Sequence, residues 1–155
     1  MASDKVPRVY ADADVFLHVL MNQEHAADSE KVLAAAKRKV IKLIASRLLT
    51  VEVGGWGGGR PGPDAAAEML EDYLDSVETE WVELDVVTAR EAVKLSWQYR
   101  LRASDAVHLA TAVRREADYF MSYDERFPYG ERVGRTLVMH PDIVWEPIIG
   151  DTDYS

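Results

Sequence analysis

The feature that most constrains this chain is a series of short apolar runs, separated by longer stretches with helical spacing. The runs are Val9-Tyr10-Ala11, then residues 40–45, 81–84, 119–122 and 137–139. Continuous apolar runs of this length read as strands buried on both faces. Strands that alternate with helices are joined by crossovers and pair in parallel. The expected fold is therefore α/β, a parallel sheet of about four to five strands flanked by helices. With no internal repeat and no second core, the 155 residues read as one domain, enough to bury a core without staples. Its core is expected over about 8–140, with a C-terminal tail, 141–155, whose mixed residues from Asp142 lie on the surface.

The intervening helices are expected at 15–21, 29–39, 64–77, 88–99 and 104–116, the last with Ser104 at its N-cap and Val107, Ala110 and Val113 on one side. A short helix capped by Ser46 carries Leu49, Glu52 and Val53. Residues 54–63 hold five glycines before Arg60 and read as a surface loop, with Trp56 an exposed aromatic suited to contacting a partner. The loop lacks the Gly-x-x-x-x-Gly-Lys-Ser/Thr pattern that cradles phosphates.

Composition removes several function classes. The chain has no cysteine, which excludes disulfides, thiolate metal sites and thiol nucleophiles and fits a reducing cytoplasm. Residues 1–8 lack an apolar signal core, and no apolar stretch approaches the roughly 20 residues that span a bilayer. A net charge of −9 repels nucleic acid and argues against a nonspecific DNA binder. It does not argue against a nuclease, because a bound divalent ion inverts the local sign of an acidic site. Lys37, Arg38, Lys39, Lys42 and Arg47 form one basic stretch, and Arg114 and Arg115 read as a solvated face.

The acids carry the chemistry. In an open parallel sheet, ligands bind beyond the carboxyl ends of the strands, where the strand order switches. Asp12 follows the first strand and Asp124 the fourth; if those strands are neighbours, both face one crevice. Asp105 falls in the first turn of the helix leading into the fourth strand, and Glu52 on the short helix after the second. Spacing alone does not turn those two helices toward the crevice. Taken singly, each acid has an ordinary explanation as a cap, a turn residue or a solvated side chain. Taken together, carboxylates without sulfur ligands suit magnesium or manganese.

Several segments resemble the PIN-domain family, particularly its VapC-type toxin ribonucleases. Val9-Tyr10-Ala11-Asp12-Ala13-Asp14-Val15-Phe16-Leu17 is similar to the family's opening strand and acidic segment. Ser46-Arg47-Leu48-Leu49-Thr50-Val51-Glu52-Val53 is similar to its Ser...Thr-x-Glu segment. Ala103-Ser104-Asp105-Ala106-Val107-His108-Leu109-Ala110-Thr111-Ala112, followed by Tyr119-Phe120-Met121-Ser122-Tyr123-Asp124-Glu125-Arg126-Phe127, is the most specific match. The resemblance implies a divalent-metal-dependent endoribonuclease using Mg2+ or Mn2+, with Asp12, Glu52, Asp105 and Asp124 as metal ligands and catalytic residues. It implies supporting roles for Asp14, where the family often has Asn, and for Ser122, which would orient Asp124 or a phosphate. Ser46 would touch substrate, and His108 would pack or support rather than ligate. Implied partners are RNA, a cognate antitoxin of a type II toxin–antitoxin pair and a second copy in a homodimer.

Other readings remain at this point. Asp12-Ala13-Asp14-Val15 also resembles the nucleophile motif of haloacid-dehalogenase-type phosphatases, with Asp12 attacking phosphorus and Asp14 as acid/base. That reading lacks a convincing downstream Lys and paired-Asp motif and leaves the segment around Asp105 unexplained. A non-catalytic PIN-like interaction module is a further alternative.

Overall fold

The computed structural model describes residues 6–21, 26–56 and 63–145. The elements are β1 (Arg8–Ala11), α1 (Ala13–Leu20), α2 (Ala26–Lys37), β2 (Lys42–Ser46), α3 (Leu48–Gly54), α4 (Pro63–Ser76), β3 (Glu80–Val82), α5 (Val86–Tyr99), α6 (Ala103–Arg114), β4 (Tyr119–Met121), β5 (Arg132–Val133) and β6 (Thr136–Met139). The strands form one six-stranded sheet in the order β3-β2-β1-β4-β6-β5. All neighbours are parallel except β5, which runs antiparallel to β6.

β1 is central. Val9, Tyr10 and Ala11 are each 0–1% exposed. Successive strand residues face opposite sides, so both faces of the sheet are covered. Leu43 and Ile44 of β2, Phe120 and Met121 of β4, and Val138 of β6 complete the buried sheet. Against it pack Val15, Val32, Leu49, Leu70, Leu74, Leu95 and Leu109 from the helices.

The sheet has one strand more than the upper expectation. β5 is only two residues long and gives no alternating pattern; it forms because Gly134, at φ +62°, turns the chain between Val133 and Thr136. Helix α6 begins at Ala103, so Ser104 is an exposed first-turn residue and not the N-cap; Arg102 holds that place without a side-chain bond. Nor is α6 buried on one side only: Asp105, Ala106, His108, Leu109, Ala110, Thr111 and Ala112 are all buried, while Val107 and Val113 are half-buried. Helix α5 starts two residues before Thr88 because the Asp85 carboxylate accepts the Thr88 N–H at 2.7 Å.

The glycine-rich stretch is shorter as a loop than expected. Gly54 is the buried last residue of α3, and Pro63 opens α4. At Gly55 a Cβ would lie 2.5 Å from the Val51 carbonyl oxygen, so the helix exit needs glycine there. Residues 57–62, the remainder of that stretch, lie outside the described residues, as do 146–155 of the tail. The tail before 146 is not a surface segment: Trp145 is buried, and Ile143 and Val144 pack on the core. Among the described residues no helix is long and apolar enough to cross a membrane.

Candidate metal centre

The chain leaves β1 for β2 and β3 on one side and returns to β4 on the other, so the order switches between β1 and β4. This satisfies the condition under which Asp12 and Asp124 share a crevice. The Asp12 N–H extends the pairing by donating to the Met121 carbonyl at 2.9 Å. Asp12 does cap α1, its Oδ1 accepting the Ala13 N–H at 2.8 Å. Its Oδ2 accepts from the Ser122 hydroxyl at 2.9 Å. Burial pushes the Asp12 carboxyl above its usual range, against the pull of His108 and the Ala13 N–H.

Asp14, one residue into α1, points at the same hydroxyl. Its Oδ2 lies 3.1 Å from Ser122 Oγ and accepts the Tyr123 N–H at 3.0 Å, while its Oδ1 is buried with no hydrogen-bond partner. Ser122 Oγ also accepts the Asp124 N–H at 3.1 Å. One hydroxyl proton therefore faces two carboxylates. Burial, then the charge of Asp12, raise Asp14 to about 6.

Glu52 reaches the crevice from α3, and His108 from α6. His108 is fully buried; its Nε2 hydrogen-bonds Glu52 Oε1 and lies 3.8 Å from Asp12 Oδ1. Its Nδ1 meets the Tyr10 hydroxyl at 2.5 Å. Burial disfavours the His108 imidazolium, but the Glu52 bond and the Asp12 charge outweigh it and raise the pKa. Donor atoms of Asp12, Glu52 and His108 lie within 4.8 Å of one another.

Asp105 and Asp124 stand outside that group. Asp105 Oδ2 is buried without a hydrogen bond; Arg102 Nε approaches to 3.6 Å, beyond hydrogen-bonding reach. Burial, then the charge of Asp124, push the Asp105 carboxyl up, with Glu52 adding to the shift. Asp124 accepts the Arg126 N–H on Oδ1 at 3.0 Å and Arg126 Nη1 on Oδ2 at 3.1 Å. The four acids are thus close enough to repel, yet two of them turn to arginines. Ser46 is buried, with little surface to offer a substrate, and its hydroxyl accepts the Leu48 N–H at 3.1 Å; it is not the N-cap expected of it, since Arg47 holds that place in α3 without a side-chain bond.

Sequence reasoning gave His108 only a supporting place and passed over Tyr10. A tyrosine inside an otherwise aliphatic buried strand was the available signal, since its hydroxyl must find a partner. The basic stretch 37–47 does not form one face: Lys42 opens β2, whereas Arg47 lies beyond its far end, 3.9 Å over the Trp81 ring.

The donor set fits a hard divalent cation. It is rich in carboxylate oxygen, and two buried carboxylate oxygens, on Asp14 and Asp105, lack a partner. The PIN domain family profile matches residues 9–131. This chain belongs to the PIN domain family. The match leaves no place for the haloacid-dehalogenase reading. Solved structures that share the fold include two toxin–antitoxin complexes. The VapBC2 complex from Rickettsia felis, bound to a DNA fragment from its promoter, superposes with a TM-score of 0.65 at 11% identity, covering 87% of this PIN domain and 99% of that chain. A toxin–antitoxin complex from Klebsiella pneumoniae gives a TM-score of 0.57 at 16% identity, with the same coverage. No curated protein is similar enough in sequence to count as a relative.

Proposed function

We propose that this PIN domain, a single unit over residues 1–155, is a divalent-metal-dependent endoribonuclease, and that it is the toxin of a type II toxin–antitoxin pair in the cytoplasm. The observation that carries the reading is the convergence of acids on one crevice: Asp12 and Glu52 place donor atoms within 4.8 Å of each other and of His108, and Asp105 beside them keeps a buried carboxylate oxygen with no hydrogen bond. Like charges held this way favour a cation. Asp12, Glu52, Asp105 and Asp124 would hold Mg2+ or Mn2+. The ion would polarise a phosphodiester, lower the pKa of a water and steady the leaving oxygen.

The chain's own residues prepare that site. Ser122 fixes Asp12 and the Asp124 backbone, Asp14 ties α1 to the exit of β4, and His108 holds the Glu52 carboxylate. The surface carries features that support an antitoxin and a second copy as partners. Phe16, Leu20, Leu33, Met69 and Tyr73 line an apolar groove beside α1, suited to an amphipathic antitoxin segment. The exposed Val93 and Trp97 of α5 suit a second copy.

The test pairs cleavage with metal binding. Manganese at a hundred times its Kd should add about 2.7 kcal/mol of stability. Single-stranded RNA should be cut in manganese and left whole in chelator, and Asp12→Asn should abolish cutting while the protein stays folded. Full cleavage by folded Asp12→Asn, or no melting shift in millimolar manganese, refutes the reading; metal binding without cleavage supports the non-catalytic module instead.

A further inference from the structure

Two arginines at the crevice rim contact the carboxylates that the proposed function gives to a metal. Arg126 Nη1 donates to Asp124 Oδ2 at 3.1 Å, and Arg102 Nε lies 3.6 Å from Asp105 Oδ2. Their side chains are 49% and 66% exposed. By contrast, Arg8, Arg115 and Arg135 pair with Glu80 and Asp118, around the amino ends of β1, β3 and β4, away from the crevice.

We propose that Arg102 and Arg126 are exchange cations: they neutralise Asp105 and Asp124 in the ion-free protein, and they turn to the phosphates of single-stranded RNA once divalent ions occupy those carboxylates. The inference rests on the metal reading above and extends it to substrate capture. Both oxygens of Asp124 already accept from Arg126, so an ion arriving at Oδ2 competes with the guanidinium for that oxygen, and its own positive charge repels the arginine. Exposed ion pairs contribute little stability and exchange readily. A guanidinium presents five N–H donors in a fork that matches phosphate, so either arginine, once released, is a ready phosphate ligand. The chain also needs such a device. With a net charge of −9 it repels a polyanion, and positive groups beside the scissile position are the local remedy. Coupling them to the metal means that RNA is held firmly only when the site is loaded.

The experiment uses the full chain, a phosphorothioate-linked oligouridylate that resists cutting, and manganese or chelator. Manganese affinity is read by calorimetry without RNA, and RNA affinity is read against salt concentration. For single strands, the slope of log K against log salt becomes shallower by about 0.7 for each phosphate that the protein no longer neutralises. The Arg102→Gln/Arg126→Gln double variant should bind manganese at least as tightly as wild type, because the competing cations are gone. In manganese its salt slope should be shallower by about 1.4, two phosphates at the single-strand value. In chelator the two proteins should show the same slope, and Arg102→Lys/Arg126→Lys should keep most of the wild-type slope in manganese. An unchanged slope in manganese, or weaker manganese binding by the glutamine variant, overturns this inference and leaves the metal reading standing. No manganese binding by wild type overturns the metal reading itself. If the double variant fails to fold, Arg126→Gln alone should make the slope shallower by about 0.7, and an unchanged slope there refutes the exchange.

Discussion

Asp14→Asn offers a sharp reading of the electrostatics, because it removes a charge whose cost the structure sizes. Asp14 is raised to about 6, first by burial and then by Asp12. An unfolded Asp titrates near 3.9, so the shift is about 2 units, worth about 3 kcal/mol at 1.36 kcal/mol per unit. The folded state binds the proton more tightly than the unfolded state. Between about pH 4 and pH 6 folding therefore takes up a proton, and stability falls as pH rises. Above pH 6 the full cost is present; below pH 4 it is gone. The asparagine carries none of it.

The amide has its own cost. Its oxygen can take the place of Oδ2 and accept the Tyr123 N–H, leaving the Ser122 proton to Asp12. Its NH2 then fills the position of Oδ1, which is buried and has no partner. An unsatisfied buried group costs about 1–3 kcal/mol. In chelator, Asp14→Asn should be less stable than wild type at pH 4 and equal to it or up to about 2 kcal/mol more stable at pH 8, the difference of the two terms. Urea denaturation at both pH values, with m-values compared, measures this. A stability difference that does not change with pH would refute the argument, since it would mean that Asp14 does not carry the strain assigned to it.

Other perturbations probe the surroundings. Tyr10→Phe keeps the ring stacked on Phe120 but strips the partner from His108 Nδ1, and should cost about 1–3 kcal/mol in urea denaturation. Gly134→Ala forces a left-handed residue and places a Cβ 3.2 Å from Val113 Cγ1, and should lose about 1–2 kcal/mol by the same assay.

The architecture was legible where burial wrote it. Strands such as Val9–Ala11 and Tyr119–Met121 are covered on both faces, so they appear as unbroken apolar runs, and Asp12 and Asp124 mark their ends. β5 could not be read, because two residues held by a neighbouring strand leave no periodicity. The start of α6 was misread because Ser104 is a good cap in isolation, whereas here the helix starts a residue earlier and relies on no side-chain bond. The acids themselves could be picked out from their positions, but their distant partners could not. The bonds of His108 to Glu52 and to Tyr10 join positions far apart in the chain, and nothing in local spacing encodes them; Arg102 and Arg126, three and two residues from Asp105 and Asp124, were within reach of a local reading that looked for the acids' partners.

The way the acids have settled follows from which parts of the crevice can move. Asp12 and Ser122 extend β1 and β4, whose residues Tyr10, Ala11, Phe120 and Met121 are 0–1% exposed, and Ser122 is itself fully buried. Shifting either to relieve repulsion would disturb a close-packed core. Asp14 is tied to the same frame through Tyr123. The remaining freedom belongs to side chains on α3, on the first turn of α6 and in the turn after β4. These are Glu52, Asp105 and Asp124, and they are the ones found beside His108, Arg102 and Arg126. The site therefore divides into a fixed half that keeps its charge conflict and an adjustable half that answers it with the protein's own cations. On the function proposed above, a metal would be held by Asp12 already in place and would compete with the exposed arginine contacts at Asp105 and Asp124. Glu52 differs from both, because its partner His108 is fully buried and bonds one of its oxygens, so on that reading the imidazole would orient the carboxylate toward the ion.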